Sequence, residues 1–174
     1  MNTKLKKVSL AALFAALCAV ATAFVKVPTG INEGYVHFGD SIIYIAACLL
    51  GPIAAASAAI GGALADIIAG AAVWAPASAI IKVLITVPFL ISGALLKKKG
   101  KSNLKIVNPS SIAACVISGI ITVFGYYIAE GIIFAFKSSI ISLPFNVIQA
   151  VGSAIVFVLL GFALDAVKVK QIIK

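Results

Sequence analysis

The stretch "DSIIYIAACLLGPIAAASAAIGGALADIIAG", residues 40–70, decides how this chain folds. Its 31 residues are apolar almost throughout. As one helix they would extend about 46 Å at 1.5 Å per residue, well beyond the ~30 Å hydrocarbon core of a bilayer. Gly51-Pro52 stands in the middle, and proline cannot continue the helix that precedes it, so the pair predicts a tight reversal. The lysines supply an independent test. Lys4, Lys6 and Lys7 form one cluster, Lys97, Lys98, Lys99, Lys101 and Lys105 a second, and Lys168, Lys170 and Lys174 a third. Short loops rich in lysine stay cytoplasmic, so an even number of crossings must separate successive clusters. Apolar runs 8–25 and 76–96 flank the 40–70 stretch. If that stretch crosses once, parity fails. Crossing twice, as a hairpin, it makes four.

Two more apolar runs, 111–134 and 143–167, follow the second lysine cluster. The expectation is an all-α, polytopic membrane protein, one domain over residues 1–174. Its six helices fall at about 8–25, 40–50, 52–70, 76–96, 111–134 and 143–167, and both termini are cytoplasmic. Composition agrees: 63% of residues are apolar and 11% charged, against about half and a quarter in soluble domains. Helices apolar on every side belong in lipid or deep inside protein, and a chain this small has no interior for six of them. Residues 8–25 also imitate a secretory signal, with "ATA" at 21–23 as a cleavage site, but 18 residues suffice to span a membrane. The net charge of +9 reads as membrane topology rather than nucleic-acid binding, because 11 of the 14 lysines lie in the three clusters.

Catalysis finds little support. The "GKS" at 100–102 lacks the phosphate-loop glycine, since position 95 is Leu95. One histidine, no H-E-x-x-H and three scattered cysteines (Cys18, Cys48 and Cys115) leave no nucleotide site, metal site or cofactor encoded. The cysteines read as small buried hydrophobes. Uphill transport would then need energy from another protein.

Small residues recur at i+4: Ala11, Ala15, Ala19 and Ala23, with Ala12 and Ala16 beside them, and Ser57, Gly61 and Ala65 in the third helix. Such faces let helices approach closely, either within the bundle or against a partner. Intramembrane polar residues are expensive and so are candidates for function. Asp66, Lys82, Glu130, Asn146 and Gln149 all fall in the outer halves of their helices, level with Glu33, His37 and Asp40. Each has a plainer reading: Lys82 paired with Asp66 or Glu130, Asp40 with Ser41 as a helix N-cap, Glu33 and His37 as solvated loop residues. Trp74, Tyr126 and Tyr127 suit an interfacial belt or ligand stacking. Together they resemble a pocket for a small, flat, polar molecule.

"HFGDSIIYIAACLLGPIAAASAAIGGALADIIAG", "WAPASAIIK" and "PFNVIQ", in that order, resemble the substrate-binding S components of energy-coupling factor (ECF) vitamin transporters. The resemblance runs over nearly the whole chain. It implies a membrane subunit of the bacterial cytoplasmic membrane that captures a vitamin or precursor from outside. Such a subunit docks on a transmembrane T subunit driven by two cytoplasmic ATPases. It assigns Ala11, Ala12, Ala15 and Ala16 to that docking surface, and makes the 26–39 connection a lid. Substrate contacts would come from Trp74, Lys82, Tyr126, Glu130, Asn146, Gln149, His37 and Asp40. The resemblance is nearest to the hydroxymethylpyrimidine or pyridoxine subgroup; riboflavin-type members share "PFN" but tend to carry lysine where Gln149 stands. A self-sufficient secondary transporter or small channel, and a membrane scaffold that binds nothing, are the other classes left open by the residues.

Overall fold

The computed structural model describes residues 3–100 and 105–173; Lys101, Ser102 and Lys174 from the sequence reading lie outside the described residues. The chain is helical nearly throughout. Helix α1 is Thr3–Ala23, α2 Asp40–Leu50, α3 Ala54–Ile68, α4 Ala75–Lys98, α5 Pro109–Glu130, α6 Phe136–Ala166 and α7 Val169–Ile173. A small hairpin joins α1 to α2. Its strands, β1 (Lys26–Pro28) and β2 (Tyr35–His37), pair antiparallel with Lys26 opposite His37 and Pro28 opposite Tyr35.

Four stretches are long and apolar enough to cross a membrane: Lys4–Ala23, Asp40–Ile68, Ala72–Lys98 and Pro109–Ala166. The second and fourth are both interrupted. Gly51 takes φ +66° and ψ −141° between α2 and α3, a conformation that a residue with a Cβ rarely adopts, and Pro52 opens one 3-10 turn. A π-helical turn, Gly131–Ala135, ends α5, and Ala135 is extended (φ −173°, ψ 148°) before α6 starts.

Side-chain contacts give each helix its direction. Asp40 meets Lys82 and Tyr44 meets Phe89, so α2 runs alongside α4 in the same sense. Ser57 Oγ donates to the Ala11 carbonyl at 2.8 Å, and Gly61 lies on Ala15 and Cys18, so α3 runs with α1. Gly62 lies on Lys82 while Gly125 lies on Ile81 and Ser118 Oγ donates to the Ile85 carbonyl, so α5 opposes α4. Ser142 reaches Glu130 and Gly119 lies on Ala150, so α6 opposes α5. Thus the 40–70 stretch folds back on itself at Gly51.

The last long helix begins at Phe136, not near 143. Lys137, Ser138, Ser139 and Ser142 look like a polar loop in the sequence. In the structure Ser139 Oγ donates to the Tyr127 carbonyl and Ser142 Oγ to Glu130 Oε1, so this polar face is bonded back onto α5. At the lysine-rich end, Asn108 caps α5 reciprocally with Ser111, and Asp165 of α6 accepts from the Ile106 and Val107 amides at 2.6 and 3.0 Å.

The outside of the bundle is apolar, with Leu13, Leu17, Ile60, Leu84, Phe124 and Leu159 exposed. The inside holds a ring cluster, Tyr44 stacked on Phe89 at 4.9 Å with Phe157 edge-on to both. Above that cluster buried polar groups collect.

Candidate functional site

A cavity of about 490 Å3, counting the solvent in its mouth, opens at the end of the bundle opposite Lys97–Lys99. The hairpin contributes Thr29, Ile31, Gly34, Tyr35 and His37 to the lining; α3 contributes Asp66; the turn before α4 contributes Trp74 and α4 itself Ser78. Tyr126 and Glu130 come from α5, and Ser142, Phe145, Asn146 and Gln149 from α6.

The hairpin is fastened over this cavity at its tip. Asn32 and Glu33 both take positive φ (+48° and +57°), which turns the loop sharply and which Asn tolerates better than most residues. Asn32 Nδ2 donates to Glu130 Oε1 at 2.7 Å, and its carbonyl accepts from Trp74 Nε1 at 2.9 Å. Tyr35 OH donates to Asp66 Oδ1. Lys26 Nζ donates to the Ala69 carbonyl at 2.7 Å and lies 5.1 Å over the Tyr35 ring. Glu33, by contrast, is solvent-exposed.

Six of the eight expected ligand residues, Trp74, Tyr126, Glu130, Asn146, Gln149 and His37, line the one cavity. The other two, Lys82 and Asp40, are not in its lining. They form a fully buried ion pair, Nζ to Oδ1 at 2.6 Å, with neither side chain more than 1% exposed. Lys82 Nζ lies 5.0 Å from the Tyr126 ring centre, and Gln149 Nε2 reaches Asp40 Oδ2 at 3.4 Å, so the pair braces two cavity residues from beneath. Asp40 does not cap α2: Gly39 holds the N-cap position with no side-chain bond, because the Asp40 carboxylate is taken by Lys82. Likewise Lys82 chooses Asp40 over Asp66 and Glu130. Trp74 is no interfacial aromatic; it is 6% exposed and edge-on to Tyr126 at 5.9 Å. Tyr127 turns away from the cavity, against Phe136.

Two polar atoms in the lining are buried with no hydrogen-bond partner, Asp66 Oδ2 and Asn146 Nδ2. An acceptor and a donor left unpaired at the wall of a cavity lose their hydration without compensation. A ligand that donates to one and accepts from the other restores both. Tyr35, Ser142 and Asn32 carry no sequence signal of this role; they become visible once the hairpin register and the start of α6 are known.

His37 is 3% exposed, and its Nδ1 accepts from the Gly39 amide at 3.1 Å, which leaves the ring proton on Nε2. Burial, reinforced by the Lys82 charge and opposed by Asp40, pushes its pKa from 6.5 down to about 3. The folded ring is therefore neutral where the unfolded ring takes up a proton. Stability is unaffected by this group above pH 6.5 and falls as the pH drops from there toward 3, by up to about 1.4 kcal/mol per pH unit. In detergent the thermal midpoint should fall between pH 7.5 and 5.5, and His37→Asn should flatten that fall. Equal slopes for both proteins would show that His37 is not held neutral.

The four alanines of α1 divide. Ala11 and Ala15 are buried, the Ala11 carbonyl accepting from Ser57 and Ala15 touching Gly61, so α3 already occupies that face. Ala12 and Ala16 face outward. Among the described residues no group of three His, Cys, Asp or Glu side chains is placed to hold a metal ion.

Comparison with known proteins places the chain among membrane transport subunits. The family model for the ECF-type riboflavin transporter, S component, matches residues 2–166. A protein of Pyrococcus woesei described as "Uncharacterized protein in gap 3'region" is 31% identical over 146 residues, 83% of this chain and 92% of that protein.

Proposed function

This chain belongs to the ECF-type riboflavin transporter S component family, and on that premise we propose that it captures a vitamin or vitamin precursor outside the cell and releases it inward. It is a substrate-binding subunit of a transporter and not an enzyme; its family docks with a T subunit and ATPases. In this reading six helices, α1 to α6, cross the cytoplasmic membrane with both ends inside. The alternating directions of the helices and the placement of the lysine clusters support that count. The cavity then faces outward under the 26–37 hairpin, and Ala12 and Ala16, left free by α3, form the alanine surface for the T subunit.

One observation carries the capture reading: Asp66 and Asn146, which line a single cavity, each keep a buried polar atom, Oδ2 and Nδ2, without a hydrogen-bond partner. A nitrogen heterocycle with an amino or hydroxyl donor next to a ring-nitrogen acceptor fits that pair, with Trp74 and Tyr126 flanking the ring. Hydroxymethylpyrimidine has this pattern, its amino group standing beside a ring nitrogen; pyridoxine offers a hydroxyl donor and a ring-nitrogen acceptor one carbon further apart, and Gln149, an amide on the cavity wall, suits a small neutral ring. The family description favours riboflavin as the second reading.

The test is calorimetric titration of the detergent-purified chain with hydroxymethylpyrimidine, pyridoxine, thiamine and riboflavin. Sub-micromolar binding of a single-ring compound is expected, weakened about tenfold or more by Asn146→Ala or Gln149→Ala. Tight binding of riboflavin alone would replace the substrate while preserving capture. Silence toward the whole panel would overturn capture.

A further inference from the structure

The charges around the cavity are lopsided. Its lining holds two carboxylates, Asp66 and Glu130, and no lysine. Lys82, directly beneath, is consumed by Asp40 at 2.6 Å. Lys26 lies outside the lining, bonded to the Ala69 carbonyl. His37, the remaining basic side chain on the wall, is held neutral by burial. The start of α2 offers no free positive end either, since its first residue is Asp40 itself.

The two carboxylates differ in how far they are satisfied. Glu130 Oε1 accepts from Asn32 at 2.7 Å and Ser142 at 2.8 Å. Asp66 Oδ1 accepts from Tyr35, while Oδ2 of this 4%-exposed side chain has no partner. That orphan acceptor, buried at the wall of a cavity, points to a ligand that brings a hydrogen-bond donor.

We propose that the cavity accepts its ring ligand only in neutral or cationic, unphosphorylated form, with Asp66 and Glu130 together forming a filter against anions. The proposal rests on the capture reading and narrows its substrate class. Its physical basis is proximity. Asp66 and Glu130 line the same cavity, so a ligand held there meets both carboxylates at the short range where charges in a protein interact strongly. A phosphate monoester carries about −1.5 to −2 charge at neutral pH and needs cationic partners. This lining supplies none.

The experiment compares each alcohol with its own phosphate ester by competition calorimetry on the purified full-length chain: pyridoxine against pyridoxine 5'-phosphate, and hydroxymethylpyrimidine against its monophosphate. The alcohol should bind on the order of 100-fold tighter than the ester. Asp66→Asn and Glu130→Gln preserve the bonds to Tyr35, Asn32 and Ser142 while removing charge, so each should narrow that ratio by about tenfold. Equal affinity for alcohol and ester overturns the filter and leaves capture standing. An unchanged ratio in both variants also overturns it, because discrimination would then come from shape. If neither form binds, capture itself falls, and the filter with it.

Discussion

Lys82→Met should lower the stability of this protein by about 3–5 kcal/mol, the range observed when one partner of a buried ion pair is removed. The loss comes chiefly from Asp40. Its carboxylate is fully buried, and with the ammonium gone its remaining side-chain partner is Gln149 at 3.4 Å. An uncompensated charge in that position has neither water nor counter-ion. The double variant Lys82→Met with Asp40→Asn removes the charge along with the partner and should recover most of the loss, since neutral replacements of buried pairs are often tolerated. Thermal unfolding in detergent, followed by the fluorescence of Trp74, the single tryptophan, measures both. A single variant within about 1 kcal/mol of the wild type would mean that the pair is hydrated rather than buried. Gly62 belongs to the same device, because a Cβ there would come within 2.6 Å of Lys82 Cγ, so glycine on α3 makes room for the lysine stem.

The second large effect is expected at Gly61. A Cβ at this position would lie 2.6 Å from the Ala15 carbonyl oxygen and 2.9 Å from Cys18 Cβ. Neither obstacle is a flexible chain end; both belong to α1 near its axis, so the whole helix must shift. Gly61→Leu should therefore separate α1 from α3, break the Ser57 to Ala11 bond and destabilise the fold by about 3 kcal/mol or more. Gly93→Ala is the matched control. It adds a Cβ to α4 where nothing lies within 4 Å, so the better helix propensity of alanine should leave stability unchanged or raise it by up to about 1 kcal/mol. If both substitutions behaved alike, close approach of α1 and α3 would not be what holds them together.

Much of the architecture was legible before any coordinates. The break at Gly51-Pro52 and the 40–50 helix follow from hydropathy and backbone chemistry and are seen, as is the burial of Cys18 and Cys115, while Cys48 is half-buried. The site was legible in part. Counting which helix end each polar residue occupies was enough to gather six of the eight named ligand residues at one cavity. It failed for Lys82 and Asp40, and it split the alanines of α1 in a way that their spacing does not reveal.

The reason lies in what each kind of information depends on. Whether a segment suits lipid, and which of its ends carries lysine, are sums over that segment alone; its neighbours do not alter them. Amino-acid order therefore sufficed for the apolar, all-helical class and for the break at Gly51-Pro52. Pairing is different. It depends on how far each helix is turned about its own axis, where one residue is a rotation of about 100°, and a helix apolar on every side carries no stripe to set that angle. Packing set it instead. Once α3 lay against α1 through Gly61 and received the Lys82 stem at Gly62, Lys82 faced Asp40 rather than Asp66 or Glu130. The hairpin then closed over the two carboxylates left behind, giving Asn32 to Glu130 and Tyr35 to Asp66.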